Sequence, residues 1–272
     1  MNNYSRCDIH THTLYSRHAY STLAENIIEA ADKGLELLGS ADHFSSMLYG
    51  EPYDVRDYQY FLNCSIWPRV WKGVVLLRGA EADIVDLEGN LFGHNIGLES
   101  GITGASYDDP LTLKDLVFGE LDYVVASIHN RSFARDASLA QTTQMYINVL
   151  HDPRVHVLGH VGRANVPFEV DEVLTCAKEL GKLVEINEHT LAHQQRFSKS
   201  CQHIAERAAE IGTQIAVSSD AHFCAAIGGF NNVHTLLSTI HFPEELVATR
   251  SARAFLGSLG QSGVMPKALQ LL

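Results

Sequence analysis

The sequence predicts an α/β fold, a single domain built as a closed or distorted (β/α) barrel of seven parallel strands. Three observations carry that expectation. Seven short, nearly continuous apolar runs recur along the chain, as strands buried on both faces do. Amphipathic segments with recognisable ends lie between them. Six of the seven runs end in His, Glu or Asp, and a parallel barrel would gather those side chains on the C-terminal rim of its strands, where barrel enzymes carry their chemistry.

In chain order the runs cover residues 6–11 (RCDIHT), 35–42 (LELLGSAD), 74–82 (VVLLRGAEA), 121–129 (LDYVVASIH), 155–161 (VHVLGHV), 182–187 (KLVEIN) and 214–222 (QIAVSSDAH). After the first run, STLAENIIEAADKGLE has Thr22 as N-cap, Glu25 completing a capping box, and Gly34 just past the helix end. Helical segments at residues 171–182 and 198–213 likewise stop at a glycine before the next run. No Gly-rich dinucleotide fingerprint follows the first run, which disfavours a Rossmann sheet. No Pro/Gly/Ser-rich linker divides the chain, so one domain is expected over residues 1–272. Residues 85–116, rich in glycine and containing YDDP, read as a long loop with local structure.

Composition sets further bounds. With 46% hydrophobic and 19% charged residues, 272 residues can bury a barrel-sized core and do not form a disordered chain. The five cysteines, Cys7, Cys64, Cys176, Cys201 and Cys224, are odd in number and never in C-x-x-C spacing, which points to neither a disulfide framework nor a Cys-type zinc site. The start lacks a basic segment followed by an apolar one, and no 18 consecutive residues are apolar, so a soluble cytoplasmic protein with no membrane partner is expected. A formal charge of −12 without a basic stripe argues against a nucleic-acid polymer as partner, although bound divalent ions would add positive charge that the sum omits.

The stretch CDIHTHTLYSRH places His10, His12 and His18 within nine residues. His10 and His12, two apart on a strand, would share one face. His43, Glu81, His129, His160, Asp220 and His222 stand at or just past the ends of later runs. A lone H-x-H is a weak signal, and any one of these histidines alone reads as an ordinary, partly buried residue. Their joint placement is what points to a metal centre. His151, His156, His203, His234 and His241 read instead as solvated or satisfied core residues. His94, His189 and His193 fall in rim loops with no distinguishing spacing.

The segments DIHTHTLYSRHAYSTL, GSADHF, LLRGAEADI, ASIHN, VLGHVGR and AVSSDAHF resemble, in order, the motifs of the PHP (polymerase and histidinol phosphatase) family. HAYSTL and IWPRVWKGVVLLRGAEADI are most similar to the small bacterial YcdX-like phosphatases. The resemblance implies a distorted seven-stranded barrel, a trinuclear centre of zinc, iron or manganese, and a homo-oligomer. Carried over by position, it implies that His10, His12 and Asp220 hold one metal, that Glu81 bridges it to a second completed by His129 and His160, and that His18, His43 and His222 hold a third. Asp42 would orient an imidazole.

Three divalent ions against two carboxylates leave a formal charge of about +4, for which a tetrahedral phosphate dianion is a natural guest. Metal-activated hydroxide attacking a small phosphomonoester in line is thus the leading expectation, with Glu81 and Asp220 in the catalytic machinery. Arg17, Arg131 and Arg163, beside His18, His129 and His160, are candidate phosphate clamps, weighed against ordinary solvated loop arginines. HVGRANVP departs from the HPGNP-like residues of the subgroup, and residues 87–114 form a longer segment than in its shortest members. Both put substrate identity in doubt, leaving histidinol phosphate, nucleotides, sugar phosphates and cyclic phosphates open. The alternatives are a PHP-type phosphodiesterase or nuclease, a non-catalytic metal-binding PHP domain, and a metal-dependent amidohydrolase. The last wants a bridging carboxylated lysine, for which Lys72 and Lys114 are poorly placed.

Overall fold

Each of the seven apolar runs contributes one parallel strand, in six cases shorter than the run and in the third one residue longer, in a computed structural model that describes residues 4–263. The first three and last nine residues of the expected domain lie outside the described residues. The strands are β1 (Cys7–Thr11), β2 (Leu37–Ser40), β3 (Val74–Asp83), β4 (Tyr123–Ser127), β5 (Val155–Leu158), β6 (Leu183–Asn187) and β7 (Ile215–Ser218). They pair in chain order, every neighbour parallel. Between β7 and β1 the ladder is replaced by a seam just beyond β7. There Thr11 bridges Ala221, the Asp220 N–H donates to the His10 carbonyl, and the His12 N–H donates to the Ala221 carbonyl, both at 2.9 Å. The result is a nearly closed (β/α) barrel.

Helices α1 (Leu23–Asp32), α2 (Leu113–Glu120), α3 (Leu139–His151), α4 (Val170–Glu179), α5 (Ser198–Ile211), α6 (Asn231–Thr239) and α7 (Ala252–Gln261) complete the main framework. Thr22 and Glu25 form the expected capping box on α1, and α5 ends at Gly212, whose φ of 84° lies in the left-handed region. Residues 85–116 hold more structure than a loop. Gly97–Ser100 and Ser106–Thr112 form an antiparallel ribbon, and Thr112 then caps α2. Strand Gly97–Ser100 keeps every residue at least partly exposed, so no apolar alternation announced it.

Two cores follow from the strand pleat. One set of side chains packs outward against the helices, including Leu38, Leu76, Val124, Leu158 and Val217. The other fills the barrel: Ile9, Leu37, Leu77, Tyr123, Val157 and Leu183 meet Phe255, Leu256 and Leu259 of α7, which stop the end where the strands begin. Tyr123 crosses this interior and donates its hydroxyl hydrogen to the Ile9 carbonyl. Space for its ring comes from missing side chains, since a Cβ on Gly79 would lie 2.7 Å from the ring Cζ and one on Gly39 would strike the hydroxyl. His156, on β5, is fully buried and bonded on both ring nitrogens, to Ser258 at 3.0 Å and Ser262 at 2.9 Å, so of the solvated and satisfied-core readings it takes the second.

A bulge in β1 turns the fold toward function. Asp8 pairs with Leu38 and Thr11 with Ser40, so three steps on β1 match two on β2. With strict alternation from Ile9, which faces the inner core, His10 would point outward. The extra residue lets both Ile9 and His10 face the barrel axis.

Two outcomes test this packing. Gly39→Ala should destabilise the fold by about 1–3 kcal/mol, and Tyr123→Phe in the same chain should recover part of that loss, measured as a double-mutant cycle of urea midpoints. Burial, then the charge on Lys182, holds the His156 pKa at about 3, against 6.5 for a free side chain. Because the folded-state pKa is depressed, only the unfolded chain gains this proton as pH falls below about 6.5. The stability advantage of wild type over His156→Gln should therefore shrink between about pH 6 and 4, by up to about 1.4 kcal/mol per pH unit. A constant gap across that window would refute the assignment.

Candidate metal centre

At the rim where the strands end, the structure brings His10, His12, His18, His43, Glu81, His129, His160, Asp220 and His222 into one cluster. Glu81, on β3 and fully buried, is its hub. Its Oε1 lies 2.7 Å from His160 Nε2 and 3.4 Å from His129 Nε2. Its Oε2 lies 2.8 Å from His43 Nδ1, 3.3 Å from His10 Nε2 and 3.6 Å from His12 Nε2. Asp220 Oδ1 stands 3.2 Å from His12 Nε2 and 3.8 Å from His10 Nε2. On the solvent side, His18 Nε2 is 3.2 Å from His43 Nε2 and 3.1 Å from His222 Nε2.

Glu81 and His10 sit within barrel strands, two residues and one residue before their ends; the other donors lie where the chain leaves the ladder. His43 begins a two-residue strand, His43–Phe44, paired to Glu81–Ala82. His160 and Asp220 hold φ values of 30° and 56°, strained for residues with side chains. Such strain persists only where surrounding contacts over-determine it. The His160 N–H donates to Glu185 at 2.7 Å, and the Asp220 N–H is fixed in the barrel seam.

The residues fit a set of divalent ions. Among the described residues, His10 Nε2, His43 Nδ1, Glu81 Oε2 and His160 Nδ1 are buried without a hydrogen-bond partner. Metal bonds of about 2.0–2.1 Å in a tetrahedron set donor atoms roughly 3.3 Å apart, close to the 3.1–3.8 Å separations around His18, Asp220 and His10. Three overlapping trios have all donor atoms within 4.8 Å of one another: His10/His12/Asp220, His43/Glu81/His129 and His12/His43/His222. His43 therefore stands between two groups, one ring nitrogen toward Glu81 and the other toward His18.

Electrostatics agree with that donor set. Burial alone would raise Glu81, but His129, His10 and His43 hold its carboxyl well below the usual range. Asp220 is likewise held well down, against burial, by His10, His12 and Arg163. Burial, with His43, keeps the His12 pKa far below its ordinary value, and burial, with Arg163, takes His160 to about 4. His10 goes the other way: burial is outweighed by Glu185, Glu81 and Asp220, and its pKa is raised well above normal. At neutral pH the two carboxylates are ionised and His12 and His160 neutral, the states that suit metal ligation, whereas His129, which burial would lower but Glu81 and Asp83 raise to about 10, draws a proton as His10 does. The proton drawn to His10 reports the same demand for positive charge.

Several residues that orient these donors were not singled out in the sequence. Glu185, in β6, accepts from His10 Nδ1 at 2.7 Å, from the Ser218 hydroxyl and from the His160 N–H. Its signal was available: a carboxylate inside an apolar run must be paired if the run is buried. Asp83 accepts from His129 Nδ1 at 2.6 Å. Asp42 bonds Thr13, Ser16 and Ser40 and reaches an imidazole only through Ser16, whose hydroxyl meets His12 Nδ1 at 3.1 Å.

A pocket of about 580 Å³ opens over the cluster, lined by His18, His43, His129, Asp220 and His222 on the donor side. Arg163 enters it and pairs with Asp220 at 2.8 Å; Arg131 borders it, exposed. Arg17 does not line it, because its guanidinium donates to the Leu48 carbonyl and lies 5.0 Å over the Tyr49 ring. Of the ambiguous histidines, His189 lines the pocket and packs on His193, while His94 bonds Leu91 in a separate loop. Lys114 pairs with Asp152, away from the cluster. No helix among the described residues is long and apolar enough to cross a membrane.

No family model matches the chain. A probable phosphatase of Caldanaerobacter subterraneus subsp. tengcongensis is 37% identical over 245 residues, 90% of this chain and 87% of that protein. A probable phosphatase of Aliivibrio fischeri is 38% identical over 257 residues, covering 93% and 92%. Among solved structures, the histidinol phosphate phosphatase of Lactococcus lactis, complexed with zinc, L-histidinol and phosphate, aligns with a TM-score of 0.55 at 16% identity, over 90% of this chain and 96% of that one. At that identity the likeness is one of fold.

Glu185 gives the geometry a direct check. Glu185→Gln should weaken metal retention about 10–100-fold, read by competition with a chelator, because the amide keeps one acceptor oxygen and no charge where the carboxylate uses both oxygens, so His10 Nδ1 and the His160 N–H cannot both be satisfied. Unchanged retention would make the contact incidental.

Proposed function

The chain belongs to the family of these bacterial probable phosphatases, and from that premise we propose that it is a PHP-type metal-dependent phosphomonoesterase, nearest to the YcdX-like enzymes, with a site for three divalent ions. The observation that carries the reading is the convergence of seven imidazoles and two carboxylates in one cluster at the floor of a pocket that Arg163 also enters. His10, His12 and Asp220 would hold one ion, His129 and His160 a second, and His18, His43 and His222 a third, with Glu81 as a ligand shared between the first two. Zinc, iron and manganese all suit such ligands. When bound, these ions supply an activated water and neutralise charge on the phosphoryl oxygens.

The chain's own residues do the rest. Glu185, Asp83 and Ser16 fix the second nitrogen of His10, His129 and His12, which sets each ring's tautomer and direction. Arg163, anchored by Asp220, offers its remaining N–H groups to a phosphoryl oxygen in the pocket, and Arg131 approaches from the rim. Arg17 steadies the loop that carries His18 through Leu48 and Tyr49. The substrate is a small phosphorylated metabolite, in keeping with the pocket's volume. Five cysteines, none of them paired, fit a reducing cytoplasm.

Elemental analysis paired with phosphate release tests the reading. Purified protein should carry about three metals per chain and release phosphate from small monoesters. Glu81→Ala should lose both properties while keeping its circular dichroism. Full activity in that variant, or metal-loaded wild type that cleaves no monoester, would overturn the proposal.

A further inference from the structure

The groove over the donor cluster reverses the charge of the chain. The sequence carries 32 acidic side chains against 20 basic ones. The main pocket is joined by two neighbouring pockets, sharing Arg131 and Asn165 with one and Asn165, Arg196 and Phe197 with the other. Among the residues lining all three, the cations are Arg131, Arg135, Arg163, Arg196 and Lys199, and the one carboxylate is Asp220, already paired with Arg163. Arg196 and Lys199 form no ion pair among the described residues. Arg196 lies 4.7 Å over the Phe197 ring, which with Met47 and Ile128 gives the pocket an apolar wall.

One phosphate at the donor cluster accounts for Arg163, and the ions proposed there would add most of the charge it needs. It does not account for Arg196 and Lys199. These stand on residues 195–199, a segment that supplies no donor. Cations left unpaired beside a concave site focus the field on an anionic guest.

We infer that the substrate is a small phosphomonoester bearing a second anionic group, a phosphate or a carboxylate, which Arg196 binds with Lys199 while the first phosphate lies at the donor cluster. The inference rests on the phosphatase reading and names its substrate class. A small guest is favoured over a polymer because the pocket, about 580 Å³, falls within the size of small-ligand sites and its few cations form no stripe.

The test compares kcat/KM for matched pairs on the metal-loaded enzyme: a hexose monophosphate against the corresponding bisphosphate, and glycerol phosphate against phosphoglycerate. A 5′-phosphorylated oligonucleotide is run beside them. Wild type should prefer the doubly anionic member of at least one pair by about tenfold or more, the scale of a charge-assisted contact. Arg196→Gln should collapse that ratio through KM, and Arg196→Lys should restore part of it. Equal turnover within each pair overturns the inference and leaves the phosphatase reading standing, as does a preference that survives in Arg196→Gln. Faster turnover of the oligonucleotide overturns the small-substrate assignment. No release from any monoester removes the phosphatase reading itself.

Discussion

A carboxylate cannot stay ionised inside a barrel unless positive charge meets it. Glu81 is fully buried near the barrel axis, and the architecture of the rim follows from that requirement. Its two oxygens are approached by His160, His129, His43, His10 and His12, which come from four other strands or the loops just after them. Imidazoles alone answer the demand incompletely: one Glu81 oxygen and three histidine nitrogens in the cluster have no hydrogen-bond partner among the described residues. Groups that costly to bury are retained where a cation completes them.

Much of this was legible in the sequence because parallel strands of a barrel announce themselves twice, by their apolar runs and by the polar donors in which those runs end. Six of the seven strands lie inside the expected runs and the third overruns its own by one residue, and the nine expected donors meet in space. Strand ends were less legible, since residues such as Asp42, His129 and His160 continue an apolar run in sequence while leaving the ladder in space. The β1 bulge could not be read at all. Its cause is a register mismatch with β2, and a single strand's pattern holds no information about its partner.

The residues missed by sequence reasoning share a reason. Glu185 and Asp83 act on ligands rather than on a substrate, so no spacing rule marks them. Arg17 and Arg163 show the converse: both lie close to a donor histidine in sequence, yet only Arg163 turns into the pocket, because Asp220 is there to receive it. Which way a long loop side chain points is decided by tertiary partners, and those are invisible to local pattern.

The seam between β7 and β1 has a consequence of its own. It is stitched by the backbones of His10, His12, Asp220 and Ala221, and three of those four residues carry donor side chains of the cluster. The last stave of the barrel and the mouth of the metal site are thus one latch. Any opening of the seam pulls His10 and His12 away from Asp220, and any ion that draws those three together fastens the barrel. An ion held by those three would link its own binding to barrel closure, each reinforcing the other by mass action. A fold that leaves its final hydrogen-bonded ladder unfinished would let ions bound at this rim finish it.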